Sequence, residues 1–121
     1  MKLSMFGIPN CNTIKKAKDW LNVQQIDFEF HNYKKDGIDE ATIQGWVKHV
    51  GWNVLLNTRG TTWKKLSAED KAGINETRAI ELMATYPSMI KRPVLLDLDS
   101  PASILIGFDE VAYENFFATR K

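Results

Sequence analysis

Residues 3–31 read LSMFGIPNCNTIKKAKDWLNVQQIDFEFH, and three hydrophobic patterns succeed one another along them. Leu3 to Phe6 is a short, largely apolar run closed by Gly7 and Pro9, which marks a buried strand. Ile14, Ala17 and Leu21 then recur at helical spacing, with Lys15, Lys16, Lys18 and Asp19 turned outward. Asn10 and Asn12 are the polar residues at the start of that helix. From Ile26 the period changes to two: Ile26, Phe28 and Phe30 share one face, and Asp27, Glu29 and His31 the other. That alternation predicts a half-buried strand. A strand, a helix and a strand within about 30 residues make a βαβ unit, whose strands run parallel through a right-handed crossover.

The remainder of the chain is read outward from this unit. Asp39 is a candidate N-cap for a helix carrying Ile43, Trp46, Val47 and Val50, with Gly51 to end it. Asn75 caps a second predicted helix with Ile80 and Met83 inward, stopped near Pro87. Residues 58–60 read as a loop between shorter helical pieces. A third strand is expected after Pro93, and a turn through Asp99, Ser100 and Pro101 leads to a fourth at residues 103–106, antiparallel to the third. Asp109 caps a last helix with Ala112, Phe116 and Phe117 inward. The expected fold is therefore α/β: a four-stranded mixed, thioredoxin-like sheet with a helical insertion at residues 38–90, between the second and third strands.

Length and composition agree with one domain over residues 1–121. Hydrophobic residues make up 44% and aromatic ones 11%, too apolar for a disordered chain. The 16 basic and 15 acidic residues leave a net charge of +1, so no nucleic-acid partner is expected. A single Cys excludes an internal disulfide and a multi-cysteine zinc site, and no metal is expected. Apolar runs such as Val94-Leu95-Leu96 are far short of the ~20 residues that span a bilayer. No membrane partner or export signal is expected, and the free thiol points to the cytoplasm. A monomer is the default for a domain of this kind.

Cys11 follows a strand and a Pro-Asn turn and opens a helix. The unpaired N–H groups and partial positive charge of a helix N-terminus favour a thiolate, the form that attacks disulfides. Cys11 is therefore read as a reactive nucleophile rather than a small core residue. Position 14 is Ile, so no dithiol pair can form and the resolving thiol must come from outside; glutathione is the obvious source. Pro93, at the start of a strand beside an active thiol, is a candidate cis proline. Arg92 before it would stand near the thiol, where a guanidinium pairs with an oxyanion, a carboxylate or the thiolate itself. The backbone N–H groups of Asn12 and Thr13 are candidates for holding negative charge, and Pro93 for pairing its backbone with a peptide-like thiol. Lys15-Lys16, Lys34-Lys35 and Lys64-Lys65 are read as solvated pairs, His31 and His49 as uninvolved in the chemistry, and Trp20, Trp46, Trp52, Trp63, Phe116 and Phe117 as packing residues. On chemistry alone Arg59, in a polar glycine-containing loop, is a solvated side chain.

Pro9-Asn10-Cys11-Asn12-Thr13, Leu56-Asn57-Thr58-Arg59-Gly60, and Lys91-Arg92-Pro93-Val94-Leu95-Leu96 followed by Ile106-Gly107-Phe108 resemble the glutaredoxin-dependent arsenate reductase family, closest to its YffB-type branch related to the Spx regulators. The resemblance covers essentially the whole chain. It implies a thioredoxin-like domain with a helical insertion, a catalytic Cys11, and a functional Arg59 and Arg92 with a cis Pro93. In arsenate-reducing members a thiolate attacks arsenate, arginines hold the oxyanion, and glutathione with glutaredoxin resolves the adduct. This chain departs from that pattern where Gly7 replaces a His, where Ile14 replaces a Ser, and at Leu105 to Gly107, where a third Arg is expected.

A pocket short of one cation holds an oxyanion less well. The expected function is thus a single-cysteine, glutathione-dependent thiol–disulfide reductase. Asn10, Asn12, Thr13 and Pro93 are expected near its substrate, with no bound cofactor, glutathione as co-substrate and glutaredoxin as a candidate partner. The alternatives are a true arsenate reductase and an Spx-like redox-responsive regulator that contacts the RNA polymerase α subunit.

Overall fold

The computed structural model describes residues 2–9, 11–100 and 102–118. In chain order the elements are β1 (Leu3–Gly7), α1 (Asn12–Val23), β2 (Glu29–Asn32), α2 (Tyr33–Asp36), α3 (Glu40–Val50), α4 (Trp52–Leu55), α5 (Thr61–Lys64), α6 (Ala68–Ala72), α7 (Glu76–Thr85), a 3-10 turn (Pro87–Met89), β3 (Val94–Asp97), β4 (Ile104–Ile106) and α8 (Glu110–Ala118). They form two compact units, Met1–Tyr33 with Arg92–Lys121, and Lys34–Lys91.

The first unit holds the sheet, in the order β2-β1-β3-β4. β1 and β2 are parallel, with Gly7 opposite Asn32, while β1–β3 and β3–β4 are antiparallel. This is the mixed, thioredoxin-like arrangement that the order of hydrophobic periods predicts, with only helical elements between β2 and β3. The period-two alternation selects the sheet face. Leu3 and Met5 of β1 and Leu95 of β3 pack with Ile14, Ala17 and Leu21 of α1 and with Tyr113 and Phe117 of α8. β3, central in the sheet, is buried along its whole length. Trp20 of α1 packs its ring against Tyr113 and Phe117 at centroid separations of 5.5 and 5.7 Å. Aromatic pairs of this kind add about 0.5–1.5 kcal/mol each beyond the area they bury.

Three details differ from the sequence reading. The β2 ladder begins at Glu29, and Ile26 and Phe28 reach the core from the segment before it, half-buried. β4 begins at Ile104 rather than at residue 103. In α8 the buried pair is Tyr113 and Phe117, while Ala112 and Phe116 are half-buried. Asp109 accepts the Ala112 N–H at 3.0 Å, as the sequence predicts for its cap. Tyr113 and Phe117 then stand one turn apart on the core side. Tyr113 brings a large apolar ring to that side despite its hydroxyl.

The second unit is helical. Asp39 caps α3 by accepting the Thr42 N–H at 2.8 Å, and Asn75 caps α7 by accepting the Arg78 N–H at 2.9 Å. α3 ends at Gly51, whose φ of +87° suits a residue without Cβ. α3 and α7 pack together, burying Ile43, Trp46 and Val47 on one and Ala79, Ile80, Leu82 and Met83 on the other. Leu56 and Ile90 form an isolated antiparallel bridge, flanked by Asn57 N–H to Met89 O at 2.7 Å and Lys91 N–H to Leu55 O at 2.8 Å. Asn75→Ala removes one cap acceptor and is expected to lower stability by about 1 kcal/mol, read from the midpoint of denaturant unfolding. Among the described residues no helix is long and apolar enough to cross a membrane.

Candidate functional site

Cys11 occupies the N-cap of α1, in extended conformation with φ −134° and ψ 124°. Pro9 precedes it, and its own carbonyl accepts the Lys15 N–H at 3.0 Å, the first bond of the helix. The free amides of the first turn lie around the sulfur, and that turn carries no acidic side chain to compete with a thiolate. The thiol is half-buried. Burial pushes its pKa up, but the Ile14 amide, the Arg92 side chain, the Thr13 amide and the Arg92 charge together outweigh burial and bring it below the ordinary thiol value. No capping hydrogen bond of ordinary geometry closes on the sulfur, so these groups act on it without locking it.

Arg92 is half-buried, and its bond to Pro93 is cis, as the sequence reading expects. Pro93 is buried and its carbonyl accepts the Gly107 N–H at 2.8 Å. That oxygen is tied to the turn after β4, at a position where Gly107 adopts φ +78°. Leu105, in the region that lacks a third cation, packs against the core of the sheet unit.

Tyr33 is a member of this site that the sequence reading does not name. It is fully buried, at 1% exposure. Its hydroxyl lies near the Arg92 guanidinium and the Cys11 sulfur, yet meets no group in good hydrogen-bonding geometry. Burial is the main cause of its pKa rising above the ordinary phenol value. The signal was in the register. Gly7 pairs with Asn32, so the residue after β2 and the loop after β1 leave the same end of two parallel strands.

Of the other expected site residues, Asn12 is exposed and Thr13 half-buried in the first turn of α1, while Asn10 lies outside the described residues. Arg59 belongs to the helical unit and is exposed. Its N–H donates to Asn57 Oδ1 at 3.1 Å, which fixes the loop but leaves the guanidinium out of that bond. His31 lays its ring 4.9 Å from Phe6, and His49 is exposed on α3. A cleft of about 410 Å³ opens beside the thiol, lined by Pro9, Cys11, Asn12, Ile14, Lys15 and Lys18.

Two departures from the arsenate-reducing pattern prove to be one packing unit. A Cβ placed on Gly7 would fall on Ile14 Cδ1 and would stand 3.2 Å from Ile14 Cγ1. Ile14 is 1% exposed and, being β-branched, has little freedom to withdraw. Gly7→Ala is therefore expected to destabilise by about 1–3 kcal/mol through overpacking. Ile14→Val removes Cδ1, so the same change should be milder in that background. A double-mutant cycle by denaturant unfolding reads the coupling, and additive effects would contradict it.

The sequence profile of the ArsC family matches residues 6–116. The solved structure of a protein called YFFB is similar to this chain at 43% identity and a TM-score of 0.88, over 94% of this chain and 97% of that one. An arsenate reductase (ArsC) related protein from Brucella melitensis is 42% identical with a TM-score of 0.76, over 97% and 95%. The global transcriptional regulator Spx of Streptococcus pneumoniae is 27% identical over 110 residues, 89% of this chain and 80% of its own. With a family profile running from β1 into α8 and two relatives above 40% identity along nearly the whole chain, this protein belongs to the ArsC family.

Proposed function

We propose that this protein is a single-cysteine, glutathione-dependent thiol–disulfide reductase. The observation that carries the reading is the setting of Cys11, a half-buried thiol held toward its ionised form by helix amides and a guanidinium. In the proposed cycle the Cys11 thiolate attacks one sulfur of a disulfide. A bond forms between Sγ and that sulfur, the original S–S bond breaks, and the other half leaves as a thiolate that takes a proton from water. The thiolate of one glutathione then attacks the mixed disulfide at its substrate sulfur or at Sγ. With the first mode Cys11 is released at once and a further glutathione frees the substrate half from its mixed disulfide with glutathione; with the second, the substrate half leaves as a thiol and a further glutathione releases Cys11 from its own mixed disulfide. Two glutathione thiols end as one oxidised glutathione, and the substrate disulfide ends as two thiols.

Arg92 acts on the sulfur and on the anionic part of the substrate. Arg59 and the Asn12 and Thr13 amides are assigned to substrate anions on the family pattern. No bound cofactor is invoked. A monomer working in the cytoplasm, where glutathione keeps thiols reduced, with glutaredoxin as an alternative resolving partner, completes the proposal. Steady-state reduction of a small neutral disulfide by glutathione tests it. A rate that saturates with disulfide and exceeds the uncatalysed exchange supports the reading, and a rate equal to that background overturns it.

The likeness to Spx favours a second reading, a redox-responsive regulator bound to the RNA polymerase α subunit. Ile14 weighs against it, since a lone Cys11 cannot form an internal disulfide switch. Capture of the α subunit by the oxidised or reduced protein would support it. Arsenate reduction is a special case of the first reading. The apolar Gly7–Ile14 packing beside the sulfur and the absence of a cation at Leu105 to Gly107 make it the weaker substrate assignment.

A further inference from the structure

The cleft beside Cys11 is lined by residues of different chemistry. Pro9 and Ile14 are apolar, and Lys15 and Lys18 are cationic. Positions 11, 15 and 18 are spaced i, i+4, i+7, which sets them in a row on one face of α1. The row is about 10 Å long at 1.5 Å per residue, close to the extended length of a tripeptide. Lys18 is half-buried, and its ammonium sits 3.6 Å from the centre of the Phe30 ring. That cation–π contact holds a side chain that would otherwise sample many rotamers. Among the described residues neither Lys15 nor Lys18 is paired with a carboxylate. Two cations without a carboxylate partner thus share a cleft with the nucleophile; Lys15 and Lys16 are both exposed, but only Lys15 lines the cleft.

We propose that Lys15 and Lys18 are specificity-determining residues that hold the carboxylates of the disulfide substrate, so that this site prefers anionic disulfides. The inference rests on the reductase reading of Cys11 and adds to it two residues of the cleft that select for the anionic arms of the substrate. The chemical step is the exchange given above: Cys11 is oxidised, the leaving sulfur is reduced, and no further reactant enters. The lysines act only on the arms of the substrate and not on the reacting sulfur.

The test measures the rate of mixed-disulfide formation by intact mass, with oxidised glutathione as the anionic probe, 2-hydroxyethyl disulfide as the neutral one and cystamine as the cationic one. Wild type is compared with Lys15→Gln/Lys18→Gln and with Lys16→Gln, at low and high salt. The double variant should react with oxidised glutathione about five- to tenfold more slowly, the order expected of two partly exposed charge pairs. It should react with cystamine faster and with the neutral disulfide unchanged, and high salt should shrink the differences. Lys16→Gln should behave as wild type.

An equal drop with all three probes would place the lysines on the sulfur rather than the substrate and overturn the inference. So would no drop at all. In both cases a fast wild-type reaction leaves the reductase reading standing. A wild-type Cys11 no faster than free cysteine toward every probe overturns both.

Discussion

Cys11→Ser is expected to bring glutathione-dependent disulfide reduction down to the uncatalysed background, a loss of roughly a thousandfold or more, as when a nucleophile is removed. A serine hydroxyl at this position cannot open an S–S bond, and no second cysteine exists to replace the lost one. The same variant separates chemistry from folding. Cys11 is the N-cap of α1, and Ser is among the preferred N-cap residues because its oxygen accepts the N2 or N3 amide. Stability should therefore hold or rise by a few tenths to about 1 kcal/mol while activity vanishes. Intact mass after exposure to oxidised glutathione should show no adduct. An active, folded Cys11→Ser protein would remove the thiol from the mechanism. An inactive protein with lowered stability would point to a structural role for the cysteine.

The parts of this molecule that the sequence displays are those set by local rules. β1, α1 and β2 follow from a change of hydrophobic period between Leu3 and Phe30, and their pairing follows from the chirality of a βαβ unit. Asp39, Asn75 and Asp109 are found as caps because a cap depends only on the three residues after it. The environment of Cys11 is legible for the same reason, since the amides of Thr13 and Ile14 come with the helix.

Features that depend on two distant segments are harder to see. Tyr33 joins Arg92 and Cys11 only through the β1–β2 register and the fold-back of β3 onto β1. Gly7 and Ile14 look like two separate departures in the sequence, but a Cβ at position 7 would fall on Ile14 Cδ1. Lys18 looks solvated in a helical wheel, because the wheel does not show Phe30 on the neighbouring strand. Family resemblance alone points to Arg59, and its own surroundings in the helical unit give only the loop geometry fixed by Asn57.

Arg92→Gln should shift the pH profile of Cys11 alkylation to higher pH and slow the reaction at neutral pH by about three- to tenfold, the range of a partly exposed charge-assisted hydrogen bond. The sign follows from the direction of the shift. The guanidinium favours the thiolate, so its removal leaves burial opposed only by the Ile14 and Thr13 amides, and the thiol holds its proton to higher pH. Above that range the sulfur is ionised in both proteins. With a neutral reagent such as iodoacetamide the high-pH plateau should then be equal, or slightly higher in the variant, because a more basic thiolate is the better nucleophile.

Toward an anionic disulfide the variant should stay slower at every pH if, as in the proposed cycle, Arg92 also meets the anionic part of the substrate. The profile therefore separates the two roles of one residue. A midpoint that does not move would show that the amides alone hold the thiolate. A plateau equal to wild type with oxidised glutathione would show that Arg92 does not touch the substrate. The same shift links to stability. The folded protein holds a thiolate at pH values where the unfolded chain still holds a thiol. This contribution is fully present above the unfolded thiol pKa and is lost as pH falls through the folded one. Wild-type stability should therefore gain with rising pH across that window, and Arg92→Gln should flatten the gain, leaving the sulfur titration and the folding equilibrium as two independent readings of one electrostatic contact.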